Sequence, residues 1–194
     1  MALKSLSEKK TYLIYCFKKM YPKCRVIIDC SEVFTETPTA LDEAAALLSE
    51  YKHHHTIKFL VAITPTGAVS WVSPVYGGRA SDIHIVRDSG FFNQIERYDL
   101  VLADRGFKIR EELLTMGANL AIPPSSAASM PMCANDVRQT SQISNFQIHV
   151  KRAIRRIKVF RVLKQEMSLS VIPLADDILV VCDALCNLQE PLIV

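Results

Sequence analysis

The chain of 194 residues has no apolar run near the roughly 20 residues that a membrane-spanning helix needs. Its start, MALKSLSEKK, lacks the apolar core of a secretory signal peptide. None of the six cysteines forms a C-x-x-C pair, and their spacing provides no four ligands for zinc. These absences favour an intracellular protein with reduced cysteines. Apolar residues make up 49% of the chain, which is enough for one well-formed core.

Positive charge is concentrated in two segments, although the formal net charge is only +3. Residues 1–25 contain seven Lys or Arg and one Glu, and residues 151–164 contain seven Lys or Arg and no acid. The remainder of the chain is therefore acidic. Two basic segments on an acidic body indicate a polyanionic partner such as DNA.

The apolar pattern predicts an α/β fold with a mixed five-stranded sheet flanked by helices. The predicted strands are residues 25–30, 57–63, 68–73, 100–103 and 120–122. The second and third strands form a hairpin, because Pro65 and Gly67 between them are typical turn residues. Residues 31–55 are expected to be an irregular connection. Helices are predicted before residue 21, after the capping residue Ser81, and at 109–116, 142–163 and 178–188, the last with a core face of Ile178, Val181, Cys182, Leu185 and Leu188.

Two acidic residues follow apolar strands in the same way. Asp29 follows the run VII, and Asp104 follows VLA. In α/β folds, ligands bind at the carboxyl ends of sheet strands, so both residues are candidates for one site. Two close carboxylates repel each other, and a divalent cation would relieve that repulsion. The alternative is that each aspartate only caps a turn.

The predicted helix at 142–163 places Lys151, Arg155 and Lys158 on one face, with Arg152 and Arg156 beside it. Like charges at this spacing destabilise an isolated helix. Contact with a phosphate backbone is therefore favoured over a merely solvated basic face.

Two other motifs favour simpler interpretations. His53, His54 and His55 could suggest a metal site, but adjacent residues of an extended segment point to opposite faces, so a polar loop is favoured. The segment 77–82 (GGRASD) resembles a phosphate-binding glycine turn only loosely. It lacks the lysine of that motif, and we expect a structural turn capped by Ser81.

Nine segments occur in the order seen in one family: 26–34 (VIIDCSEVF), 51–54 (YKHH), 58–61 (KFLV), 76–78 (YGG), 81–82 (SD), 103–107 (ADRGF), 148–150 (IHV), 152–154 (RAI) and 173–176 (PLAD). The chain thus resembles the DDE superfamily endonuclease domain of Harbinger-type and related insertion-sequence transposases. The resemblance implies an RNase H-like fold and metal-dependent DNA cleavage. It also implies that Asp29 and Asp104 are the first two of three acids that hold two divalent ions, Mg²⁺ or Mn²⁺.

The third acid of the family pattern is absent. The family reads His-Val-Glu-Arg-Ala where this chain has Lys151 in the glutamate position. A lysine ammonium only donates hydrogen bonds and cannot bind a cation. No Asp or Glu occurs between Asp136 and Glu166, and His149 faces away, so no replacement is expected within this helix. The alternative that a carboxylate from another segment replaces the third acid stays open. Lys151 is instead expected to ion-pair with the two aspartates.

The expected organisation is a basic N-terminal helix at 1–24 leading into a DDE endonuclease domain at 25–194. A separate DNA-binding protein is an expected partner, because transposases of this type commonly have a DNA-binding region upstream. The expected location is the nucleus, without membrane association. Three interpretations compete: a working nuclease, a DNA- or protein-binding module that has lost cleavage, and a decayed transposon remnant.

Overall fold

A computed structural model of the chain describes residues 21–123, 147–190 and 192. The helix expected before residue 21 lies outside these residues, as does the start of the helix expected at 142–163.

The described part of the chain contains one mixed sheet of seven strands. They are β1 (Cys24–Phe34), β2 (Leu48–Ser49), β3 (His54–Ile63), β4 (Val69–Val72), β5 (Tyr76–Gly77), β6 (Leu100–Leu102) and β7 (Asn119–Ala121). The main order is β2-β3-β1-β6-β7, with β4 and β5 also paired to β3. Pairings of β3 are antiparallel, whereas β1–β6 and β6–β7 are parallel. The mixed α/β class is confirmed, and the arrangement is compatible with an RNase H-like fold.

Six helices are described: α1 (Leu41–Leu47), α2 (Asp82–Asp88), α3 (Arg110–Thr115), α4 (147–157), α5 (Arg161–Lys164) and α6 (Ala175–Asn187). The Ser81 side chain caps α2 by accepting a hydrogen bond from the His84 N–H, as predicted. Short 3₁₀ helices occupy Phe91–Gln94 and Leu169–Leu174.

Two expectations about these elements were wrong. The segment 31–55 is not irregular, because β1 continues to Phe34 in register with β3 and is followed by α1, β2 and the start of β3. The long helix predicted to reach residue 163 stops at 157. Phe160 there adopts an extended backbone (ψ 131°) and packs against the core, which separates α4 from α5.

The core lies on both faces of the sheet, because successive residues of a strand point to opposite sides. Ile27 packs with α4, α5 and α6 on one face, and Ile28 packs with α2 and α3 on the other. Helix α6 buries Ala175, Leu179, Cys182 and Cys186. Its predicted core residues Val181, Leu185 and Leu188 are exposed. The apolar side that faces the sheet is thus rotated from the one that spacing indicated.

No helix among the described residues is long and apolar enough to cross a membrane.

Candidate active site

The sheet pairing places Asp29 and Asp104 side by side. Parallel pairing of β1 with β6 ends at Ile27 opposite Leu102, and each aspartate lies two residues beyond that pair. Adjacent strands are about 4.8 Å apart, so the two side chains leave neighbouring strands at the same level. Ile27 and Leu102 share a core cluster, and Asp29 points to the same face as Ile27.

Asp29 was expected at the end of a strand, but it lies within β1. Strand β1 runs five residues further, and Asp29 is paired with Val61 of β3. The described residues provide no strand on the opposite edge of β1 at this level, because β6 has already ended. Asp29 is therefore held by β3 on one side and lies beside an open edge on the other. Asp104 lies in an exposed turn, where its Oδ1 accepts a hydrogen bond from the Arg105 N–H at 2.7 Å.

Burial raises the pKa of Asp29 to about 6. The charge of Lys151 opposes this change and lowers the pKa, while the negative charges of Asp104 and Asp82 raise it further. Lys151 is thus the charge with the largest effect on Asp29, and a third carboxylate, that of Asp82, lies close to the two predicted ones.

Lys151 is carried by α4, which packs through Val150, Ala153, Ile154 and Ile157 on the sheet face that Asp29 shares. The expected contact ion pair is not formed, since within the described ranges no carboxylate oxygen lies within 4.0 Å of the Lys151 ammonium. Lys151 acts on Asp29 through its field and is itself exposed. His149, on the same helix, is buried.

The ion pairs at the site are formed by a different lysine. Lys58 lies directly opposite Glu32 in the β1–β3 register, and its Nζ is 3.8 Å from Glu32 Oε1 and 2.6 Å from Asp82 Oδ1. It also donates a hydrogen bond to the Ala80 carbonyl at 3.2 Å. Burial alone would lower the pKa of Lys58, but the hydrogen bond and charge of Asp82 raise it overall. The ammonium is therefore held firmly in its charged form.

Sequence reasoning named Lys58, Glu32 and Asp82 only within the family-like segments and gave them no role. One signal was available: Lys58 interrupts the otherwise apolar run of β3, where a charged residue on a buried strand needs a partner. The identity of that partner depends on the fold, because Asp82 is far away in the sequence.

These residues line one cleft of about 510 Å³. Its walls combine three acidic and three basic residues with the exposed Tyr51: Glu32, Asp82, Asp104, Lys52, Lys58 and Lys158. Asp82 reaches towards the turn that carries Asp104: a Cβ on Gly106 would lie 3.8 Å from Asp82 Oδ2. The cleft thus brings Asp104 together with the unpredicted Lys58–Asp82 pair, whereas Asp29 does not line it.

The five basic residues predicted to contact DNA do not share one surface. Lys151, Arg152 and Arg155 are exposed. Arg156 donates to the Glu190 carbonyl at 2.6 Å, and Lys158 donates to the Glu32 carbonyl at 2.6 Å. Burial, together with the nearby Lys52, lowers the pKa of Lys158. The three exposed side chains are thus the ones most available to a phosphate backbone.

The histidine triplet and the glycine turn have local contacts. His54 packs edge-on against Phe34, with ring centroids 5.0 Å apart, and its Nε2 lies 4.0 Å from Glu166 Oε1.

Gly77 and Gly78 pass close to the end of α1, where a Cβ on Gly77 would meet the Ala46 carbonyl oxygen at 2.3 Å. This close approach explains the glycines structurally.

The carboxylates of Asp29 and Asp104 are hard oxygen donors of the kind that Mg²⁺ and Mn²⁺ bind. By themselves these two carboxylates are an incomplete set of protein ligands for a divalent ion. The described residues contain no group of three His, Cys, Asp or Glu side chains arranged to hold a metal. Asp82 is engaged by Lys58, and position 151 adds a positive charge, so these residues do not fit a second ion.

The family model for the DDE superfamily endonuclease matches residues 28–187, a span that includes Asp29, Asp104 and Lys151. The chain therefore belongs to the DDE endonuclease superfamily. Members generally use divalent metal ions and act on DNA. No curated protein and no solved structure matches the chain.

The Lys58 ion pairs should contribute to stability. Lys58→Met leaves Glu32 and Asp82 without their cation, and we expect a loss of about 1–3 kcal/mol, below the full cost of breaking a buried pair because Asp82 is one-third exposed. Urea unfolding measures it. Adding Asp82→Asn to Lys58→Met should recover part of the loss. A Lys58→Met protein as stable as the wild type would show that the cluster contributes nothing.

The raised pKa of Asp29 predicts a pH-dependent stability. Because the folded pKa, about 6, exceeds the ordinary value of 3.8, ionisation of Asp29 destabilises the fold as pH rises from about 4 through 6. Without divalent ions, Asp29→Asn should be more stable than the wild type by about 1–3 kcal/mol at about pH 7.5, with little difference at about pH 4. Urea unfolding at both pH values tests this. Asp183 has a similarly raised pKa, but it is present in both proteins and cancels in the comparison. An equal difference at both pH values would contradict an effect of charge.

Proposed function

We propose that this chain is a transposase-derived DDE endonuclease domain that binds DNA and has little strand-cleavage activity. The observation that carries the proposal is the position of Lys151. It lies on the helix that packs over the paired acids, and its charge has the largest effect of any on Asp29. The Harbinger-type subfamily stays a prediction.

A lysine at this position affects cleavage in two ways. It removes one carboxylate from the metal-binding set, and it places a positive charge where a divalent cation would have to approach. Two unit charges of the same sign at about 4 Å repel by about 4 kcal/mol at an effective dielectric of 20, and a divalent ion would be repelled more strongly. Metal binding by Asp29 and Asp104 should therefore be weak.

DNA is the proposed ligand of the basic helix. Lys151, Arg152 and Arg155 are exposed on α4, and Lys158, which follows this helix, lines the cleft that contains Asp104. Binding through phosphates would be largely independent of sequence, so a separate DNA-binding protein is proposed to supply site recognition. A nuclear location follows from this role.

A working nuclease is the second candidate, and the position of Asp82 supports it. Asp82 adds a negative charge next to Asp29 and approaches the Asp104 turn, so it could supply the third carboxylate if Lys58 released it. Nicking by the wild type that is lost in Asp82→Asn would favour this candidate.

Lys151→Glu is expected to restore cleavage, because it removes the repelling charge and adds the missing ligand. We expect little nicking of supercoiled plasmid by the wild type in Mg²⁺ or Mn²⁺, and measurable nicking by Lys151→Glu. The gain should disappear when Asp104→Asn is added.

Arg152→Glu is the matched control, since it makes the same charge change at a neighbouring exposed position and should not nick. Asp104-dependent nicking by the wild type would contradict the proposed loss of activity. If Lys151→Glu does not nick either, Lys151 is not the sole cause of inactivity.

Binding to duplex DNA should weaken steeply as salt concentration rises, because it depends on phosphate contacts. Arg155→Gln should lower the slope of log affinity against log salt by about 1. Arg97→Gln, the same change at an exposed arginine outside both basic segments, should leave the slope unchanged. Fluorescence anisotropy over a salt series measures this. A salt-independent affinity would contradict DNA binding by α4.

A further inference from the structure

The turn between β2 and β3 presents an exposed tyrosine at the edge of the acidic cleft. Tyr51 is 82% exposed and yet borders the cavity that contains Asp104. A side chain this exposed adds little buried area to the fold. The position of Tyr51 is therefore determined by the turn that carries it.

That turn is fixed by Ser49, which is buried. The Ser49 carbonyl accepts a hydrogen bond from the His53 N–H at 2.8 Å, and its hydroxyl accepts one from the Lys52 N–H at 3.2 Å. His53 adopts a left-handed backbone (φ 53°), which closes the turn. Two internal hydrogen bonds hold the backbone of the turn, so Tyr51 is presented from a defined backbone position.

A cation lies over one face of the ring. Lys52 Nζ is 4.9 Å from the ring centroid of Tyr51, and the 82% exposure of the tyrosine leaves the rest of the ring open to solvent. The same lysine is close enough to Lys158 to lower its pKa, and both lysines line the cleft together with Tyr51. An open aromatic face beside positive charge fits a nucleotide, whose base stacks and whose phosphate is anionic.

We propose that Tyr51 and Lys52 bind an unpaired nucleotide of a DNA strand whose backbone crosses the cleft. This site rests on the proposed function, because it requires DNA at the cleft. The base stacks on the open face of Tyr51, and Lys52 contacts the neighbouring phosphate. The cavity volume of about 510 Å³ is in the range of ligand sites that can hold a nucleotide.

Single-stranded DNA is the occupant favoured over duplex. Bases within a duplex have both faces covered by their stacked neighbours, whereas an unpaired base can place one face on an aromatic ring. The site formed by Tyr51 and Lys52 should therefore bind single-stranded DNA more tightly than duplex. Helix α4 should not distinguish the two forms, because phosphates are present in both.

The experiment measures anisotropy of fluorescein-labelled single-stranded and duplex oligonucleotides at low salt. Tyr51→Ala should weaken single-strand binding about tenfold, in the range for loss of one base–aromatic stack, while duplex affinity changes less than about twofold. Tyr51→Phe retains the ring and should bind like the wild type. Tyr98→Ala is the matched control, because Tyr98 is also exposed and has Lys23 and Arg97 over its ring.

The proposal is overturned if Tyr51→Ala binds single strands as the wild type does, or if it weakens single strands and duplex equally. Arg155→Gln separates this failure from failure of the proposed function, because it should weaken binding to both forms. If Arg155→Gln weakens binding and Tyr51→Ala does not, the Tyr51 site alone is wrong. If the wild type binds neither form, the site and DNA binding at α4 are both wrong. Unchanged thermal melting by circular dichroism confirms that the variants are folded.

Discussion

The parallel pairing of β1 with β6 determines the chemistry of this molecule. Because the pairing ends at Ile27 and Leu102, two aspartates leave adjacent strands at one level. Like charges so close are unfavourable unless something compensates for them. Burial is the main cause of the raised pKa of Asp29. The charge of Asp104 raises this pKa further, and the charge of Lys151 compensates in part.

Two lysines place positive charge near carboxylates in different ways. Lys58 is partly buried between strands, contacts two carboxylates and a carbonyl, and belongs to the framework of the site. Lys151 is exposed on a helix and acts on Asp29 without contact. The residue at position 151 can therefore change its charge at little cost to the fold, whereas a change at position 58 affects three elements together.

The sequence predicted the five main strands, the hairpin, the Ser81 cap and the candidate pair Asp29 and Asp104, because each of these has a local signal. The roles of Lys58 and Asp82 had no such signal, since their contact depends on the approach of α2 to β3. The buried face of α6 was also beyond reach: Leu179 and Val181 are equally apolar, and only packing against β4 selects one of them. Residues 31–34 (SEVF) include the polar Ser31 and Glu32, which do not favour a strand. Pairing with β3 nevertheless extends β1 through them.

Strand β1 beyond Ile28 is, within the described residues, paired on one side only, and its other edge presents free backbone groups. Such an edge can recruit a strand from another molecule and cause aggregation. In this protein, Lys158 donates a hydrogen bond to the Glu32 carbonyl. The Met167 N–H donates to the Phe34 carbonyl, and the Met167 carbonyl accepts from the Glu36 N–H. The segment that follows α4 therefore shields the chain from edge-to-edge association while leaving the edge beside Asp29 open.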